Sequence, residues 1–163
     1  WNYTAGGSIY SVAIDSNGNY MSAGGFDNTI YLFERSSSIP VWNFTTSSQI
    51  GDTNFPRAIA LSANGNYLAM GNYDGRVFLF EKSSSTPLWN YTTGDQVTGI
   101  AISADGSHIV AGSQDYQVYL FYQEVPDSTG SGDIPFGNLF ILIALVSIIS
   151  IITLKKKELS SLK

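Results

Sequence analysis

Apolar and polar positions in this chain fall into a pattern that returns three times. A short, almost continuously apolar run closes at Ile14 (SVAI), Leu61 (AIAL) and Ile102 (GIAI). Thirteen residues after each of these comes an aspartate, Asp27, Asp74 or Asp115, and six residues later a phenylalanine, Phe33, Phe80 or Phe121. Between the first two anchors lies Asn17-Gly18, Asn64-Gly65 or Asp105-Gly106, a pair suited to the positive φ of a tight hairpin. Before each phenylalanine, aromatic and aliphatic residues alternate (Tyr31-Leu32-Phe33, Phe78-Leu79-Phe80, Tyr119-Leu120-Phe121). These runs are rich in β-branched and aromatic residues and bounded by turn chemistry, so they predict strands rather than helices. In the first copy the expected strands are a at 9–14, b at 20–23 and c at 29–34, preceded by an outer strand d at 1–4. Strand a, apolar throughout, and strand c should be covered on both faces. A serine run (36–38, 83–85) and a proline (Pro40, Pro87) separate strand c from the next strand d, where proline is tolerated at an edge.

Trp1, Trp42 and Trp89 open the three copies at intervals of 41 and 47 residues, and the six extra residues all lie between Trp42 and Leu61. A period of about 40–45 residues with four strands is that of a propeller blade. The SVAIDSNGNYMSAGG–D–IYLF pattern and its two copies resemble the β-propeller repeats of the WD-repeat and PQQ-like superfamilies. The resemblance covers residues 1–126. It implies an all-β fold of three four-stranded antiparallel repeats, about 1–41, 42–88 and 89–126, and a structural role for Asp27, Asp74 and Asp115 at their b–c turns. A Phe-Glu or Phe-Tyr pair stands where WD repeats carry Trp-Asp, and no Gly-His precedes strand a. Propellers close with 4 to 8 blades. Three blades therefore predict an incomplete propeller: either further blades lie upstream, the chain being a fragment, or two chains meet to make six. The last copy lacks a strand d and the first begins with an orphan one, the phase of a propeller whose N-terminal strand completes its final blade.

Composition changes abruptly after the repeats. Residues 127–133 read as a Gly/Ser linker. Residues 134–154 (IPFGNLFILIALVSIISIITL) carry no charge and as a helix would span about 31 Å, the thickness of a bilayer core. The net charge of −5 divides into −8 over residues 1–133 and +3 over 154–163. Lys155, Lys156 and Lys157 place the basic tail (155–163) in the cytoplasm and the repeats outside. The tail as a whole resembles those of archaeal cell-surface proteins, with a Pro-Phe-Gly element at 135–137. The acidic repeats give no footprint for nucleic acid, and the absence of cysteine excludes disulfides and thiol chemistry.

Candidate chemistry is sparse. The W-N-[YF]-T motif places glycosylation acceptors at Asn2, Asn43 and Asn90 on the outer strands. No cofactor, metal or catalytic set is read, and His108, the lone histidine, occupies a packing position of strand b. Alternation places the d–a connections and b–c turns at one end, so a possible binding face combines Phe26, Tyr73 and Tyr116 with Asn54 and Phe55 of the inserted loop. The expectation is a membrane-anchored propeller that binds a protein or glycan. The alternative is part of an exported propeller enzyme, a quinone-dependent dehydrogenase or a hydrolase with its catalytic parts upstream.

Overall fold

The computed structural model describes residues 1–51 and 58–124, and the expected membrane helix at 134–154, with Asn54 and Phe55, lies outside them. Among the described residues no helix is long and apolar enough to cross a membrane. Among the described residues eleven strands form three antiparallel sheets. The first contains β1 (Ile9–Ile14), β2 (Tyr20–Gly25), β3 (Thr29–Glu34) and β4 (Trp42–Thr45), paired in chain order. The second repeats this with β5 (Ile59–Leu61), β6 (Tyr67–Gly71), β7 (Arg76–Glu81) and β8 (Trp89–Thr92). The third has β9 (Val97–Ile102), β10 (His108–Ser113) and β11 (Val118–Tyr122). β1 adjoins β5 and β5 adjoins β9, so the first strand of each sheet lies innermost. Each strand opened by a tryptophan is hydrogen-bonded to the sheet before it: Leu32 faces Trp42 and Leu79 faces Trp89.

The β1–β2 hairpin is not a two-residue turn. Gly18 N–H donates to the Asp15 carbonyl at 3.2 Å, and only the glycine has positive φ (+66°). That is a type I turn followed by a left-handed residue, and Gly65 and Gly106 repeat it. β2 runs two residues beyond its expected end, to Gly25, because Ile9 and Gly25 still pair beyond a bulge.

The sheets stack face to face. Ile30 and Leu32 of the first bury against Ile59, Leu68, Met70, Phe78 and Phe80 of the second, with Trp42 and Phe44 packed alongside. Tyr67, Ala69 and Leu79 of the second meet Ile109 of the third, with Trp89, Ile100, Ile102 and Phe121 around them. Each junction repeats one aromatic contact: Trp42 lies 5.4 Å from Phe80 and Trp89 5.1 Å from Phe121.

Three expectations are corrected. The repeats are not all four-stranded: 42–88 and 89–126 hold four strands each and 1–41 holds three, while the third sheet has three strands, as the missing strand d after the last copy leads one to expect. Residues 1–4 are not a strand, since no described strand lies beside them. They keep the side-chain contacts of one: Trp1 packs on Phe33 at 5.4 Å and its Nε1 donates to the Arg35 carbonyl at 2.8 Å, as Trp42 Nε1 does to the Lys82 carbonyl. Nor are all inner and c strands covered on both faces. Val12 of β1 is 71% exposed and Leu120 of β11 50%, because each lies on the outward face of a terminal sheet.

Candidate functional site

The connection entering each sheet lies against that sheet's b–c turn, and an aspartate joins them. Asp27 accepts from Gly6 N–H (3.0 Å), Thr29 N–H (3.2 Å) and the Tyr31 hydroxyl (2.8 Å). Asp115 accepts from Gly94 N–H (2.7 Å), Gln117 N–H (2.9 Å) and the Tyr119 hydroxyl (2.6 Å). In the middle repeat strand c carries Phe78, which has no hydroxyl, and Asp74 instead accepts from Ser47 Oγ at 2.7 Å. A carboxylate with several donors is a strong turn lock.

The same bonds shift the ionisations. The Tyr119 hydrogen bond, with those from Gln117 and Gly94, holds Asp115 below the usual carboxylate range, and in return Tyr119 is raised. Burial, then Asp27, pushes Tyr31 up to about 12. At the opposite end, hydrogen bonds from Ser103 and Ser107 hold Asp105 low. A depressed carboxylate stabilises the fold above its unfolded pKa of about 3.9, and that contribution is lost as pH falls through the folded value. Thermal melts between pH 2 and 7 should therefore show the midpoint falling below about pH 4. Asp105→Asn with Asp115→Asn should flatten that fall.

The turns are clamped a second time through the backbone. Phe26, Tyr73 and Gln114 hold equivalent positions, and their N–H groups donate to the carbonyls of Ser8 (2.9 Å), Gln49 (3.0 Å) and Gln96 (2.9 Å). Phe26 and Tyr73 are thus exposed aromatics on rigid backbone. Two residues further on, Asn28, Gly75 and Tyr116 share a left-handed conformation, with φ of +60°, +77° and +69°. Asparagine and glycine suit it, whereas a bulky side chain there is an outlier. Tyr116 is also fully exposed, so no packing contact offsets the strain. Tyr116→Gly should raise the thermal midpoint by about 4 °C, a gain read directly by calorimetry.

Phe26, Tyr73 and Tyr116 therefore stand at one end of the stack. Asn2, Asn43 and Asn90 lie elsewhere, exposed on residues 1–4, β4 and β8. Among the described residues no group of three His, Asp or Glu side chains could hold a metal ion. His108 is exposed at the start of β10, its Nδ1 2.6 Å from Ser107 Oγ and its ring against Tyr122. Its counterpart Tyr67 is buried between sheets, and the difference arises because β10 belongs to a terminal sheet. The strain at Tyr116 was missed in the sequence, although alignment with Gly75 carried the signal.

The family model described as WD domain, G-beta repeat, matches residues 2–34, 44–81 and 85–121, one match per repeat. The chain belongs to the WD-repeat family. No curated protein matches it. WD repeats are usually non-catalytic scaffolds that bind proteins, and the three sheets are blades of that kind.

Proposed function

We propose that this WD-repeat chain is a protein-binding scaffold whose contact surface is the b–c end, centred on Phe26, Tyr73 and Tyr116. The observation that carries this reading is Tyr116: a fully exposed aromatic kept at φ +69° on a turn locked by Asp115. Its cost to the fold is offset by nothing inside the described chain, which is what a contact residue looks like in isolation. Exposed aromatics on rigid turns lose little entropy on binding and dominate interface energetics. The inserted loop containing Asn54 and Phe55 would extend this surface, to a protein or to a glycan. The uncharged run at 134–154 and the lysines after it support display on the outer face of a membrane, in the manner of archaeal cell-surface proteins. There Asn2, Asn43 and Asn90 would be open to glycosylation.

A photo-reactive benzoylphenylalanine at Tyr116 tests the contact surface in cells, with the same residue at Ser107, on the opposite end, as comparison. Covalent adducts at Tyr116 alone support the reading; equal labelling at both positions, or none, ends it. Protease added to intact cells tests display: survival of the repeats would refute the outside location. A mass unchanged by deglycosylation would remove the glycan assignment.

A further inference from the structure

The hairpins β1–β2, β5–β6 and β9–β10 share one turn shape but not one set of side chains, and the difference singles out a residue for covalent change. Asn17-Gly18 and Asn64-Gly65 are the chain's two Asn-Gly pairs, and Asp105-Gly106 stands at the same place in the third copy. An asparagine before glycine is open to an intramolecular reaction, because glycine has no Cβ to keep its backbone nitrogen away from the side-chain amide. Hydroxide takes the proton from that nitrogen, which then attacks Asn Cγ. The new C–N bond closes a five-membered succinimide, the Cγ–Nδ2 bond breaks, and ammonia leaves with a proton supplied by water. Water then adds to either imide carbonyl and opens the ring to aspartate or isoaspartate.

The two pairs start from the same backbone. Gly18 N–H donates to the Asp15 carbonyl at 3.2 Å and Gly65 N–H to the Ser62 carbonyl at 2.9 Å. The N–H groups of Ser16 and Ala63 tie the two turns to the next sheet, at 3.1 and 2.9 Å. Both asparagines are exposed. Asn64 is exposed with a sheet on either side of its own, so openness belongs to this turn and not to a place in the array.

The side chains differ. Asn64 Oδ1 accepts from Ser62 Oγ at 2.8 Å and from Asn66 N–H at 3.0 Å. Asp105 Oδ1 repeats this with Ser103 Oγ at 2.6 Å and Ser107 N–H at 3.0 Å. In the first copy Asp15 stands where those serines stand. A carboxylate has no proton to donate. Its Oδ1 instead accepts the Asn19 N–H at 2.8 Å, the equivalent of the one that Asn64 holds. Asn17 is thus left with no side-chain hydrogen bond among the described residues, and the cause lies two residues away in its own turn.

We propose that Asn17 is a site of spontaneous deamidation and that Asn64 is protected from it. The amide of Asn17 is free to swing onto the Gly18 nitrogen, whereas Asn64 must first give up two hydrogen bonds, which slows it by about tenfold or more. The isoaspartate product runs the main chain through Cβ and lengthens a turn whose Gly18 already sits at φ +66°. Either product also sets a second carboxylate two residues from the buried Asp15. Age would therefore be written into the β1–β2 hairpin and not into β5–β6.

The test incubates the full 163-residue chain, in detergent, at mildly alkaline pH. Peptide mapping follows the amide-to-acid mass change at both positions, and each rate is divided by that of the same position in urea. On this scale Asn17 should outpace Asn64 by about tenfold. Asp15→Ser, which restores the serine of the other two copies, should slow Asn17 toward the rate of Asn64. Ser62→Ala should speed Asn64, and it carries the test alone if the circular dichroism spectrum shows Asp15→Ser unfolded. Asn64 reacting as fast as Asn17 would overturn the proposal, and would mean that donors on Oδ1 activate the amide more than they restrain it. So would a folded Asn17 that stays intact while the chain in urea reacts, or a folded Ser62→Ala chain with Asn64 no faster than before.

Discussion

Phe80→Ala should destabilise the described domain by about 3–5 kcal/mol, enough to consume much of the stability of a domain this size. Phe80 is fully buried in the junction between the first two sheets. Its ring meets Trp42 at 5.4 Å, Phe44 at 5.1 Å and Phe78 at 6.2 Å. Two of these belong to β4 of the preceding sheet, so truncation opens a cavity at the point where one sheet grips the next. Collapse is resisted by Trp42, whose indole is tied to the Lys82 carbonyl at 2.8 Å. Phe121 occupies the same position in the third sheet but is only partly buried, so Phe121→Ala should cost measurably less. Urea unfolding of the two variants decides the point. Equal losses would show that the junctions are not graded by burial, and a loss under about 1 kcal/mol at Phe80 would mean that the junction repacks.

Gly25→Ala should be nearly as damaging, about 3 kcal/mol, for a different reason. A methyl group at Gly25 would lie 1.9 Å from the Ser8 carbonyl oxygen and 2.9 Å from Ile9 Cα. Both are backbone atoms, so no side chain can turn aside. β1 and β2 would have to part at the bulge between Ile9 and Ser11, and the 2.9 Å bond from Phe26 N–H to the Ser8 carbonyl would stretch with them. Gly18→Ala is the control. That residue also needs positive φ, but its added methyl would meet only Ile14 Cδ1, at 3.7 Å. Its expected cost is about 1–2 kcal/mol, from the backbone alone. If the two variants melt together, the crowding at Gly25 is relieved by movements of the strand end.

The sequence was most informative where the physics is local. β3 begins and ends at the expected residues, Thr29 and Glu34, because alternating aromatics and aliphatics between two turns leave a strand little freedom of register. The pairing of each tryptophan strand with the preceding sheet also follows from the linking serines and proline. Ser37 and Ser84 accept N–H bonds from Ile39 and Thr86 at 3.0 Å and turn the chain back. What local pattern could not convey was coverage. SVAI and GIAI are equally apolar, yet whether Val12 or Ala101 meets another sheet depends on a neighbour that their own residues do not encode. The candidate site divides in the same way. Phe26, Tyr73 and Tyr116 were legible because antiparallel alternation fixes the end at which a turn emerges. The left-handed backbone of Tyr116 was not, since it follows from a turn shape that a tyrosine does not advertise. Asn54 and Phe55 lie outside the described residues.

Among the described residues the second sheet alone is sandwiched on both faces, and this grades how firmly each part of the described array is held. Stability in a stacked repeat is close to a sum of terms within each unit and between neighbours. Within the described array the first and third sheets, each with one described neighbour, open first, and the amides of β6 and β7 are released only when both flanking sheets have gone. Fraying therefore begins at β1 and β11 and moves inward.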